Sequence, residues 1–292
     1  MAGIDVAGYL AYLGVPNPGP PSVESLCALH RAHVDRIAYN TLEIHLGRRT
    51  TVDPAATAAR IISCGRAGYC LHLNGAFGRL LTALGYNVLR HRGGVLLNHT
   101  KPAPGADGNH LALTVHGLPS LENPAGSWFV DVGLGDAIYD PLPLIPGVYR
   151  QGPFTYRLGH SPIEPLGWRF DHDPTGHFAA MDFVTRPIDQ AVLDERHAYL
   201  TTSPDSVFLQ TFLAHRREAS GAYSLRGCVL TRIGSNAERR VLATADEWFG
   251  VLGSVFGIGL DDISETERRR LWKRVCAAHE HWLSARPVRV AA

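Results

Sequence analysis

Arg66-Ala67-Gly68-Tyr69-Cys70-Leu71-His72-Leu73-Asn74 is the stretch on which the fold reading turns. It places a cysteine at the start of a run with helical spacing. Phe77, Leu80, Leu81 and Leu84 recur every three or four residues, and Gly85 ends the run. A cysteine in a first helical turn faces backbone N–H groups without intrahelical acceptors, and these favour the thiolate. The competing reading is a buried apolar cysteine, the usual fate of a free one. A histidine and a carboxylate elsewhere in the chain shift the balance toward a nucleophile.

Both are present. His110 opens the apolar run His110-Leu111-Ala112-Leu113-Thr114-Val115-His116, which reads as a strand. Asp131 lies in a second short strand, Trp128 to Gly135, closed by glycines. A cysteine nucleophile needs a base to take its proton, and the base needs a third group that fixes its tautomer. Asn123-Pro124-Ala125-Gly126 reads as the turn of a hairpin between the two strands, which would bring His110 and Asp131 to one end. His110 also reads as a strand-end surface histidine. Asp131 is harder to set aside, because an unpartnered carboxylate in Phe-Val-Asp-Val costs several kcal/mol when buried.

These motifs, in this order, resemble the arylamine N-acetyltransferase family over most of the chain. The resemblance implies an α+β fold with an N-terminal helical bundle, a central β-barrel and a C-terminal α/β lid. By the same resemblance Cys70 is the acetyl-accepting nucleophile, His110 the triad histidine and Asp131 the triad aspartate. Acetyl-CoA is the implied donor and a small-molecule arylamine or arylhydrazine the implied acceptor, in ping-pong transfer. Gly133, Leu134 and Gly135 correspond to a turn near the cofactor pyrophosphate, where backbone N–H groups can hold phosphate oxygens. A purely structural turn is the other reading of that segment.

The chain departs from the family pattern in places. Ala67 replaces the first of two glycines after Arg66, and Leu71 and His72 stand where phenylalanine and glutamate are usual. Ala38-Tyr39-Asn40-Thr41-Leu42 replaces a proline-phenylalanine-glutamate-asparagine-leucine segment. Two carboxylates are thereby lost, and Arg66 needs a new partner that the sequence does not reveal. The same departures keep other functions open: amide synthase-like transfer of a larger acyl group from a carrier thioester, thioester hydrolysis, or a binding protein on the same fold.

Composition narrows the field further. The chain has 292 residues, a formal net charge of +1 and a charged fraction of 19%. No basic footprint for nucleic acid and no acidic tail is present. Cys27, Cys64, Cys70, Cys228 and Cys276 are scattered, which argues against a disulfide framework and for a reducing compartment. No apolar run is long enough for a membrane span and the first residues lack a secretory pattern, so the expected location is cytoplasmic. No spacing fits a structural zinc site, His30 and His33 beside Cys27 included, and no metal is expected. Without sustained heptads, the expected state is a monomer or small homo-oligomer.

In chain order, residues 1–85 read as helical, 86–200 as a barrel domain and 201–292 as the lid. Asp5 and Ser22 cap the first two helices and Thr57 to Ser63 forms a third; His30 and His33 read as helix-surface or core-edge residues, Arg48 and Arg49 as solvated charges. Short strands at Tyr86–Arg92, Val95–Leu97, Trp168–Phe170 and Phe178–Val184 suggest a small barrel or sandwich, with Pro- and Gly-rich 135–165 as loop or edge. Ile188–Tyr199 reads as a connecting helix and Ser206–Leu213 as helical. Leu225–Ile233 pairs with Arg240–Ala243, and Leu252–Gly259 reads as flexible. Ser264 and Glu267 form the capping box of a last helix that buries Leu271, Val275, Ala278 and Trp282 behind a solvated basic face. Tyr39, Phe129, Phe208 and Phe212 are the aromatic candidates for a pocket, each reading more readily as a core residue.

Overall fold

Three of the first helices begin where a side chain closes the open N-terminus. In the computed structural model, which describes residues 3–100 and 102–284, Asp5 accepts from the Gly8 N–H ahead of α1 (Val6–Leu13). Ser22 and Ser25 cap α2 (Val23–Arg36) reciprocally. After β1 (Tyr39–Asn40) and α3 (Leu42–Leu46), Asp53 caps α4 (Pro54–Cys64), and α5 (Cys70–Ala83) follows. Leu13, Leu26, Leu29, Phe77, Leu80 and Leu81 share a core with Leu113, Val115 and Val130 of the barrel wall. Each such side chain contributes roughly 1.5–3 kcal/mol of transfer free energy. His30 and His33 are not surface residues: both rings are fully buried, His33 3.0 Å from the Tyr9 hydroxyl and edge-on to Phe77.

The central sheet contains β2 (Asn87–Leu96), β3 (His110–His116), β4 (Trp128–Val130), β5 (Leu142–Pro143), β6 (Gly147–Gln151), β7 (Phe154–His160), β8 (Trp168–Asp171) and β9 (Ala180–Pro187). All pairings are antiparallel, in the order β5-β4-β3-β2-β9-β8-β7-β6. The sheet curls into a nearly closed barrel around Phe129, Phe154, Tyr156, Phe170, Met181 and Phe183. The two strand pieces expected at 86–97 are one strand, with a bulge between His91 and Gly93. The hairpin β6–β7 corrects the loop reading of 135–165. Buried Phe154, Tyr156 and Leu158 alternate with exposed Thr155 and Arg157, a strand period hidden among prolines and glycines.

After the connecting helix α6 (Gln190–Thr202), whose Leu193 and Leu200 pack with Tyr69 and Leu111, come α7 (Val207–Gln210), β10 (Leu213–Glu218), β11 (Gly221–Arg226), β12 (Val229–Gly234), β13 (Glu238–Val241), α8 (Ala245–Ser254) and α9 (Glu265–Ser284) of the lid. The lid sheet runs β1-β10-β11-β12-β13, so a strand from the first third forms one edge. Four expectations are corrected here. Leu225–Ile233 is two strands turning at Gly227, because each half pairs with the other. Ser206–Leu213 is helical only to Gln210, since Leu213 pairs with Arg226. Leu252–Gly259 is the end of α8 and an ordered turn, anchored by buried Phe256 and Ile258. In α9 Leu271 and Val275 are buried while Ala278 and Trp282 stay half-exposed. Among the described residues no helix is long and apolar enough to cross a membrane.

The missing partner of Arg66 is found in the lid. Its two terminal nitrogens each donate to Asp262 at 2.6 Å, one also reaches the Gly259 carbonyl at 2.7 Å, and Nε lies 3.0 Å from Glu43. Arg48, expected to be solvated, joins the same network through Asp262 and Glu267. Hydrogen bonds from Arg66 and then Arg48 hold the Asp262 carboxyl well below the usual carboxylate range. Asp262→Ala leaves a buried guanidinium with half of its acceptors. We expect a loss of about 2 kcal/mol in urea unfolding, below the full cost of a broken buried pair because Asp262 is partly solvated. An unchanged midpoint would show that Glu43 and Gly259 suffice.

Candidate active site

The start of α5 is shaped by one glycine. Gly68 has φ of 124°, and a Cβ there would lie 2.7 Å from His72 Nδ1, so only glycine makes this entry. The extended Tyr69 follows as N-cap, its side chain making no capping hydrogen bond, and Cys70 is the first helical residue. Its buried Sγ lies at an N-terminus whose backbone N–H groups no capping side chain covers. Ala67 tolerates the place of the other glycine because its φ is not positive.

His110 and Asp131 arrive from the neighbouring strands β3 and β4. Their register pairs Leu113 with Val130; continued by one residue, it sets Asp131 beside Ala112, on the face shared with His110. His110 Nε2 donates to Asp131 Oδ2 at 2.7 Å, and the ring lies close enough to the Cys70 sulfur, which reaches the Asn109 carbonyl at 3.5 Å, for the two to interact. Burial alone would push His110 down. The Asp131 carboxylate and the Cys70 sulfur outweigh it and raise the imidazole to about 10. The positive ring therefore faces Sγ near neutrality. The structure thus brings all three expected residues into one buried cluster.

Asn74, one helical turn beyond Cys70, completes the cluster. Its Nδ2 donates to Asp131 Oδ1 at 2.7 Å and to the Leu111 carbonyl at 2.6 Å, while its Oδ1 accepts from the Val132 N–H at 2.9 Å. The spacing of four residues on one helix face was the available signal for this role. The Gly133 N–H also donates to Asp131 Oδ1, at 2.9 Å. A Cβ on Gly133 would stand 2.8 Å from Cys70 Cα, so its lack of a side chain lets the aspartate turn seat against the cysteine. One N–H of the Gly133-Leu134-Gly135 turn is thus committed to the aspartate, and all three residues border the cavity.

That cavity, about 320 Å³, opens over Cys70 and His110 and is bounded by Tyr39, Phe178, Phe208 and Arg226. Phe129 and Phe212, the other aromatic candidates, belong to the barrel and lid cores. In its wall Asp136 is held between His172 and His177, at 3.2 and 2.8 Å, and His177 borders the cavity with it. Burial opposes its charge, but the two imidazoles hold the carboxyl well below its ordinary range. This cluster gave no recognisable spacing in the sequence. His72 does not replace the lost glutamate: burial and then Arg60 push its ring well below the ordinary value, and it packs neutral between Tyr69 and His197.

A helical bundle, barrel and lid closing over a buried cysteine beside a histidine–aspartate pair define a class of cysteine-dependent acyltransferase. The profile of the N-acetyltransferase family matches residues 22–265. An arylamine N-acetyltransferase of Mycolicibacterium smegmatis is 27% identical over 269 residues, covering 89% of this chain and 94% of that protein. A Salmonella typhimurium arylamine N-acetyltransferase / N-hydroxyarylamine O-acetyltransferase is 34% identical, over 48% of each chain. The structure of Mycobacterium marinum arylamine N-acetyltransferase in complex with CoA superposes with a TM-score of 0.82 at 28% identity, covering 94% of this chain and 99% of that one. The chain belongs to the arylamine N-acetyltransferase family.

Proposed function

We propose that the protein transfers an acetyl group from acetyl-CoA to the nitrogen of an arylamine or arylhydrazine, with Cys70, His110 and Asp131 as catalytic residues. The observation that carries the reading is the buried His110 ring, held by Asp131 at 2.7 Å and bordering one cavity with Cys70. Cys70, as thiolate, attacks the thioester carbonyl, and the N–H groups at the start of α5 face the oxyanion that forms. His110 then gives its proton to the departing CoA sulfur. Acylation removes the negative charge from Sγ, and with it one of the influences that raise His110. The neutral imidazole accepts a proton from the attacking amine, and Cys70 leaves as thiolate, restoring the pair.

Gly133, Leu134 and Gly135 are proposed to approach the donor from the cavity edge. The five free cysteines fit a reducing, cytoplasmic setting. The test is intact-protein mass after mixing with acetyl-CoA. A gain of about 42 Da that requires Cys70, and is discharged as acetylated arylamine appears, is the expected result for a ping-pong acyl-enzyme. No adduct in the wild-type protein, or an equal one in Cys70→Ala, would overturn the reading.

A further inference from the structure

Behind the nucleophile helix lies a second cavity, separate from the one over Cys70 and larger, at about 760 Å³. It is enclosed by the loop before α4, one face of α5, β2 and α6. Val52, Pro54 and Val88 give it apolar walls, and Arg79 and Arg90 reach it from α5 and β2. Gly75 forms part of its floor. A Cβ on Gly75 would meet nothing closer than 3.9 Å, so packing does not require this helix-weakening glycine. Its effect is to keep the floor low.

The charge pattern of the cavity indicates what it accepts. Among the described residues neither Arg79 nor Arg90 forms an ion pair within 4 Å, as is true of most arginines of the chain. Arg90 donates to Gln190 at 2.9 Å, but its buried Nε has no acceptor. Two carboxylates share the lining: Asp53 caps α4, and Asp194, which accepts from Gln190, lies near enough to Arg90 to favour its charge. The acceptor-less Nε of Arg90, with Arg79 beside the same apolar wall, suits a carboxylate attached to a hydrocarbon or aromatic body.

The cavity also touches a chain of contacts leading to the nucleophile. His197 lines it, and Tyr69, the residue before Cys70, hydrogen-bonds to the Nδ1 of His197 at 2.6 Å. Tyr69 in turn packs on Phe208 of the Cys70 cavity, with ring centroids 4.9 Å apart. We propose that this cavity is a regulatory site for a small apolar carboxylate, held by Arg79 and Arg90 over Gly75 and sensed at Cys70 through His197 and Tyr69.

The probe is 1-naphthoate, titrated calorimetrically into the full chain with saturating CoA to occupy the Cys70 cavity. Expected is one site whose Kd rises at least tenfold in Arg79→Gln/Arg90→Gln, and which is lost in Gly75→Leu, a variant that fills the floor while improving helix propensity. The probe should also change the rate of Cys70 alkylation by iodoacetamide at least threefold in the wild-type protein and not in Gly75→Leu. No binding at millimolar probe, or equal binding in wild type and variants, overturns the site. Binding with an unchanged alkylation rate overturns its regulatory role.

Discussion

Asp131→Asn is expected to fold normally and to form the acetyl-enzyme about 10³–10⁴-fold more slowly, the scale seen when the orienting acid of a triad is neutralised. The hydrogen bonds set the direction of this effect. Oδ1 of Asp131 accepts from two donors, Asn74 Nδ2 and the Gly133 N–H, and Oδ2 accepts from His110 Nε2. An asparagine can keep the two donors only by turning its own oxygen toward them. Its amide nitrogen then faces His110, which must present a bare Nε2 and carry its proton on the nitrogen toward sulfur. No base remains for the thiol, and the carboxylate that outweighed burial at His110 is gone. Rapid-quench mass spectrometry of acetyl-Cys70 formation measures the rate, and circular dichroism checks the fold. A loss smaller than tenfold would mean that Asp131 only supports the strand end.

How much of this was legible in the sequence depended on range. α2, α5 and α9 were readable because caps and apolar spacing are local: Ser22, the Leu80–Leu81 stripe and the Ser264–Glu267 box act within one or two turns. The proximity of His110 and Asp131 was readable because adjacent strands pair, and one hairpin suffices to bring them together. Arg66 shows the opposite limit. Its main partner, Asp262, lies 196 residues away, and no local pattern marks it. The nearer partner, Glu43, sits on α3, a helix of five residues, too short to show a periodicity. β1 has two residues and takes its strand form from β10, far along the chain. The neutral His72 and buried His33 were unreadable for a related reason: a histidine's charge depends on what surrounds it in the fold.

Those buried histidines lead to the second large effect, a steep loss of stability between about pH 6.5 and 4. Burial, as the leading cause, pushes His33 and His215 down to about 3 and His45 and His91 to about 4. The unfolded chain titrates near 6.5 at each of them and so binds more protons than the native state in that window. A depressed folded-state value therefore gives stability that is complete above 6.5 and is lost as pH falls toward the folded-state value. At pH 5 each group has lost about 2 kcal/mol, and the four together about 8 kcal/mol, comparable to the whole stability of a typical domain. His110 offers no rescue: its raised value gives stability already complete below 6.5, lost only as pH rises toward about 10. Asp262 and Asp136, both held below their ordinary range, add losses only at more acid pH. Urea unfolding at pH 7.5, 6 and 5 should show this collapse before the carboxylates protonate. His45→Leu isolates one contribution, because burial is the leading cause of the His45 shift and the ring packs 5.6 Å from Phe212. At pH 5 the variant should be about 2 kcal/mol more stable relative to wild type than it is at pH 7.5. Equal differences at the two pH values, with acid unfolding starting only below pH 4, would assign the transition to carboxylates instead.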